Sequence, residues 1–160
     1  MNFLRAASLL GATLTMGLIT GTFALYAHTV MPGLKTTDDR TFVAAFQALD
    51  RAIINPWFMA GGFIGALAFT VAATLTNLGH DPLPWAGAAL GLYLVAVVIT
   101  IAVNVPLNDA IKAAAGEDFG AIRERFHEAR WAAWNVVRVV TSGAAFACLA
   151  WALVVYGRSS

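Results

Sequence analysis

Charge is scarce in this chain: ten Lys and Arg and nine Asp and Glu are spread over 160 residues, 12% of the whole, and the net charge is +1. No Lys/Arg cluster interleaves with aromatic residues, so nothing supplies the phosphate-neutralising surface that nucleic acid requires. Nucleic acid is therefore discarded as a partner. Cysteine is nearly absent. The single one, Cys148, lies in an apolar run, where it reads as a small buried hydrophobe rather than a redox or metal-binding group, and no disulfide framework can exist. The usual catalytic and cofactor patterns are missing too: there is no P-loop, no G-x-G-x-x-G with an acidic partner, no G-x-S-x-G and no H-E-x-x-H.

What the chain has in abundance is apolar length. Hydrophobic residues make up 59%, far from the composition of a soluble globular domain, and the length suits one domain, 1–160. Runs at about 6–31, 56–78, 84–104 and 131–156 are each long enough to cross a hydrocarbon core of about 30 Å, which takes about 20 helical residues. They are continuous rather than alternating with period two, so helices and not barrel strands are expected. The first run follows Arg5 but reaches His28 without an A-x-A site, so it reads as a span rather than a secretory signal. The fold expected is an all-α membrane protein, a four-transmembrane-helix bundle.

The connections differ in kind. Gly79 to Pro84 is a tight turn with two prolines. The other two are long, and each carries an amphipathic pattern on the same membrane face. Asp38 and Asp39 precede Phe42, Phe46, Leu49 and Ile53 on one stripe, giving a helix at about 38–53. Glu117 and Asp118 precede Phe119, Ile122 and Phe126, giving another at about 117–130. A shift of eighty positions sets Phe46 on Phe126 and Asn55 on Asn135, and a shift of seventy-four sets Pro32 on Pro106. Duplication of a span, amphipathic helix, span unit would explain this, as would shared helix-start chemistry. Lys35, Arg40, Arg51, Lys112, Arg123, Arg125 and Arg130 fall on one side and Arg5 and Arg158 on the other. By the positive-inside rule the long connections are cytoplasmic and the termini outside, in what reads as a bacterial plasma membrane.

Function is sought among residues that oppose insertion, since a central Arg or Asp costs about 2.5–3.5 kcal/mol. Arg138 lies eight residues beyond Arg130, about 12 Å into the fourth span at about 1.5 Å per residue, too deep for easy snorkelling. Trp131, Asn135 and Arg138 share one side at i, i+4, i+7, with Trp134 one turn from Arg138. An interfacial Trp belt with a packing Arg is the competing explanation. The third span ends in Asn104-Val105-Pro106-Leu107-Asn108-Asp109, where proline disturbs the helix between two asparagines. His28 stands four residues before Pro32, with an unperturbed pKa near 6.5 suited to proton transfer. With alternating topology these residues, together with Asn55 and Trp57, all fall at one membrane face and form a polar cup roofed by the two amphipathic helices. The opposite face offers little beyond His80, Asp81 and the termini.

Three stretches carry a resemblance: His28-Thr29-Val30-Met31-Pro32-Gly33-Leu34, Asn104-Val105-Pro106-Leu107-Asn108, and Arg130-Trp131-Ala132-Ala133-Trp134-Asn135-Val136-Val137-Arg138. On them the chain resembles the four-helix membrane family whose named members include fungal anthrone oxygenases. The resemblance implies cofactor-independent oxygenation of an activated aromatic ketone by O2. In that picture His28 is the general base, Arg138 stabilises the enolate, Asn104 and Asn108 hold carbonyl oxygens, and Trp131 and Trp134 stack on a flat substrate beside Asn135, Asn55 and Trp57. The expected partners are a lipophilic small molecule and membrane lipid, with a homo-oligomer left open. No cofactor is expected, although a metal or haem stays open: His28 and His127 with a carboxylate such as Asp50 are a candidate ligand set for iron or copper. Two rivals remain: a non-catalytic ligand-binding or transport module, and a small subunit of a larger complex packing through an exposed Gly61-Gly62-x-x-Gly65 surface.

Overall fold

The structure, a computed structural model, describes residues 2–113 and 118–159. Every regular element among them is helical, and four stretches are long and apolar enough to cross a membrane: Phe3–Lys35, Trp57–Thr76, Leu83–Lys112 and Phe119–Arg158. The first runs as α1 (Asn2–Leu25), a π-helical segment Tyr26–Val30, and α2 (Met31–Lys35). After a turn comes the amphipathic α3 (Asp39–Ile53). The second span begins in a π-helical segment Trp57–Phe63 and continues as α4 (Ile64–Thr76). The third is α5 (Leu83–Ile99), a π-helical segment Thr100–Asn104, and α6 (Val105–Ala113). Then α7 (Phe119–Phe126) meets the long α8 (Glu128–Arg158).

Proline accounts for the position of the joints. Pro32 and Pro106 lack the N–H that would bond the carbonyl four residues back, and their rings crowd that carbonyl. The wider π turn just before each of them, closed by Met31 N–H to the Tyr26 carbonyl and by Val105 N–H to the Thr100 carbonyl, makes the room. The shift of seventy-four residues that relates Pro32 to Pro106 relates these two segments as well. Where the second span leaves its π segment, Gly65 lies so close to the Ala60 carbonyl oxygen that a Cβ there would collide with it. Gly62 and Gly65 are buried and Gly61 is half-buried, so this stripe is not the exposed surface that the complex-subunit reading called for. The third span continues helically past Asn104, so Asn104 and Asn108 sit one turn apart in the helix rather than at its frayed end.

Around the bundle α1 packs on α4 and α8, and α8 packs on α5, whereas α4 and α5 meet over a smaller area. The core holds Leu9, Met16, Ile19, Tyr93 and Leu149 among small residues such as Ala12, Ala66, Ala89, Ala96 and Ala145, which let the backbones approach closely. A second apolar cluster forms the roof: Phe42, Val43 and Phe46 of α3 meet Ile122 and Phe126 of α7, Leu107 and Ile111 of α6, and Trp131. The Phe46 and Phe126 rings, equivalent under the shift of eighty, stand 4.5 Å apart.

Asp38 caps α3. Its carboxylate accepts from the Thr41 hydroxyl at 2.7 Å and the Thr41 backbone N–H at 3.0 Å, and these bonds hold it below the usual carboxylate range. The second amphipathic helix is shorter than the expected 117–130. Asp118 caps it, it stops at Phe126, and His127 turns the chain in the left-handed region (φ 50°) before α8 starts at Glu128. Glu117 lies outside the described residues. Arg123 joins the roof together: its guanidinium donates to Asp39 at 3.0 Å and Glu128 at 2.8 Å and lies 4.2 Å from the Phe42 ring centre. The opposite face is richer than expected. Arg5 is buried there, donating to Asn77 Oδ1 at 3.1 Å beneath the Tyr156 ring, with the Ser8 and Thr76 hydroxyls 2.9 Å apart beside it.

Candidate functional site

Between the bundle core and the roof lies a cavity of about 330 Å³, within the about 300–1,000 Å³ typical of small-molecule sites. The long α8 enters it with one stripe. Trp131, Asn135 and Arg138 are its buried residues at this level, and Ser142, Ala145, Leu149 and Ala152 continue the same face into the core. Opposite them stand Phe23 and Tyr26 of the first span, Phe58 and Phe63 of the second, Thr100 of the third, and Phe46 and Asp50 of α3. The wall is mostly apolar and aromatic with few polar groups. Three wall residues, Ile54, Ile101 and Val105, are exposed.

Arg138 is 5% exposed and, among the described residues, has no carboxylate within ion-pair distance. Its Nη2 donates to Asn135 Oδ1 at 2.8 Å and its Nη1 to Thr100 Oγ1 at 3.3 Å, while Nε has no partner. Asn135 is fixed in turn, because its Nδ2 donates to the Phe23 carbonyl at 3.0 Å and so turns its oxygen toward the guanidinium. The Phe23 and Trp131 rings flank the cation at 4.3 and 5.4 Å. A buried ion without a counter-charge costs several kcal/mol, so this arrangement is stable only because neutral dipoles and ring faces substitute for water. Such a place favours a ligand that brings or develops negative charge.

A second polar set lies on the same wall. Asn108 Oδ1 accepts from the Trp131 indole at 2.7 Å, and Asn108 Nδ2 donates to Asp50 Oδ1 at 2.7 Å. Asp50 Oδ2 stands 3.0 Å from Lys112 Nζ, which also reaches Asp109 at 2.9 Å. Asn104, fully buried behind the cavity, donates from Nδ2 to the Trp131 carbonyl at 3.3 Å.

A family model described as anthrone oxygenase matches residues 42–148, well over half of the chain. The chain belongs to the anthrone oxygenase family. No curated protein and no solved structure matches it. The stretch matched to the anthrone oxygenase family contains both the N-x-P-x-N and the W-x-x-W-N-x-x-R runs, and with them Arg138, Asn135, Trp131, Asn108 and Asp50 of the cavity.

Of the residues singled out from sequence, this anthrone oxygenase family member brings Arg138, Asn135, Trp131 and Asn108 to the cavity wall and places Asn104 just behind it. The others lie elsewhere. His28 is exposed, with Nδ1 2.6 Å from the Thr29 hydroxyl, and does not line the cavity. Asn55 is a local cap: its Oδ1 accepts from Phe58 N–H at 2.9 Å and its Nδ2 donates to the Ala52 carbonyl. Trp57 is 76% exposed, and Trp134 also faces outward. His28, His127 and Asp50 do not assemble: both histidines are exposed, and no group of three His, Cys, Asp or Glu suited to a metal occurs among the described residues. Tyr26, Thr100 and Lys112 are wall residues that sequence reasoning passed over.

Proposed function

We propose that this protein is a membrane oxygenase that takes a lipophilic aromatic ketone of the anthrone type and oxidises its methylene carbon with O2. The single observation that carries the reading is Arg138, a buried cation with no carboxylate in ion-pair contact among the described residues, on the wall of a mostly apolar cavity. Loss of a proton from the substrate methylene leaves a carbanion whose charge is delocalised onto the carbonyl oxygen. A fixed guanidinium at that oxygen is bound more strongly by the enolate than by the ketone, and this difference lowers the barrier. The carbanion then adds O2, and the hydroperoxide loses water to give the quinone. Atoms balance as ketone plus O2 to quinone plus water, and the substrate supplies all four electrons. The reading therefore invokes no metal, flavin or haem. Family membership supports it, and so does the mostly apolar, aromatic-rich lining, which suits a flat lipophilic substrate. We place the roof face on the cytoplasmic side on the strength of the Lys/Arg bias.

The test is quinone formation from an anthrone by purified protein in detergent, followed with O2 uptake. Arg138→Ala should lose about 10²- to 10³-fold in kcat, the range for removal of one oxyanion donor, and Arg138→Lys should recover part of it. Tight anthrone binding with no turnover in the unmodified protein would instead favour a ligand-binding module, and full activity in Arg138→Ala would sink the assigned role.

A further inference from the structure

Asp50 is the only acidic side chain on the cavity wall among the described residues. It is 5% exposed and projects from the buried side of α3 together with Phe42, Val43 and Phe46. A lone carboxylate there would be costly, and two neighbours one turn apart on α6 hold it: Lys112 at 3.0 Å on Oδ2 and Asn108 at 2.7 Å on Oδ1. The orientation of Asn108 is not free. Its oxygen is taken by the Trp131 indole at 2.7 Å, so its Nδ2 must face Asp50. The carboxylate is thus aimed by an indole, an amide and an ammonium, and still reaches the cavity that contains the uncompensated Arg138.

We propose that Asp50 is the general base of the site, an assignment that rests on the oxygenase reading above. Asp50 takes one methylene proton, the C–H bond breaks, and the electron pair passes to the carbonyl oxygen held by Arg138. O2 adds at the carbanion carbon, and the proton returns from Asp50 to the outer peroxide oxygen. Asp50 then takes the second hydrogen from that carbon as a proton. The C–H pair forms the new C=O, the O–O bond breaks, and the departing hydroxide recovers the proton as water. Asp50 ends as it began. Lys112 and Asn108 are positioning residues, acting through the carboxylate.

The experiment compares unmodified protein, Asp50→Asn and Asp50→Glu in detergent, with substrate methylene exchange in D2O under anaerobic conditions and quinone formation in air. Asp50→Asn keeps an oxygen for the Asn108 amide and the shape of the wall. We expect protein-catalysed exchange and kcat to fall together by about 10²- to 10⁴-fold, the usual contribution of a general base, with anthrone Kd within about 3-fold, as expected for a group acting on the bond rather than on binding. Asp50→Glu should restore part of the loss. A ring-substituted anthrone with a more acidic methylene should lose less, whereas a merely structural defect would slow both substrates alike. Exchange at the unmodified rate in folded Asp50→Asn overturns the assignment and leaves the oxygenase reading standing. Absence of both exchange and turnover in the unmodified protein overturns the two together. Should Asp50→Asn not fold, Lys112→Gln is expected to cut kcat at constant KM and Lys112→Arg to restore it, and an unchanged kcat in Lys112→Gln overturns the proposal.

Discussion

Arg138 and Asp50 are opposite charges that line one cavity without pairing with each other, and the contrast between their neighbours decides what each offers a ligand. Asp50 has its own cation at 3.0 Å, whereas Arg138 has only an amide, a hydroxyl and two ring faces. A neutral ligand that becomes an anion gains most at Arg138. Depth in the bilayer did not separate wall residues from bystanders, and helical face did. Phe23 and Tyr26 mark the cavity side of the first span, and His28, two residues further on in the π-helical segment, is about half a turn away and exposed. His28→Ala, Trp57→Ala and Trp134→Ala should accordingly keep quinone formation within about 3-fold of the unmodified protein, in line with substitutions that touch neither wall nor core. Trp131→Ala should lose far more, because it removes both a wall and the partner of Asn108. The stripe Trp131, Asn135 and Arg138 was legible from the sequence because its helix is regular. Asp50 was legible only as a candidate metal ligand beside His28 and His127, not as a carboxylate of the cavity wall. Its spacing of four from Phe46 was the available signal, and Leu49, read as part of the stripe, is the residue that turns outward.

At the level of elements, the presence of four long apolar helices could be read directly because apolar length is what a bilayer demands, whereas their ends could not: the third stretch runs on to Lys112 and the fourth begins at Phe119. The π-helical segments could not be placed, as proline signals a disturbed turn without saying whether the helix ends, kinks or widens. The break at His127 escaped notice for a similar reason: a histidine carries no turn signature of the kind glycine does. How the roof helices dock was likewise invisible, because the contacts of Arg123 span more than eighty residues of sequence. Arg123→Ala should loosen α7 from α3. With Asp39 half exposed the ion pair counts for little, and the loss of ring contact and charged hydrogen bonds should come to about 1–2 kcal/mol. A fall of about 2–6 °C in the thermal midpoint of the detergent-solubilised protein is the expected readout. Restoring the guanidinium matters more than restoring the charge, so Arg123→Lys should recover only part of it.

For the whole molecule, the ring of packed spans closes unevenly. The first span packs closely on the second and fourth and the fourth on the third, whereas the second and third meet over a smaller area. Three of the four spans carry a π-helical joint at the cavity level, while α8 runs as one regular helix through all 31 of its residues. The residues that carry the charge-binding chemistry of the site, Trp131, Asn135 and Arg138, are thus mounted on the member without a joint. A π turn is wider than an α turn and interrupts its regular hydrogen-bond ladder, so local opening is expected to concentrate at these joints. Amide hydrogen exchange of the protein in lipid nanodiscs should therefore be slowest along 131–152 and measurably faster at 26–30, 57–63 and 100–104. In mechanical terms α8 is the anvil of this site and the other three spans are its jaw, so accommodation of bulkier ring systems should come from movement of the jaw while the guanidinium stays where it is.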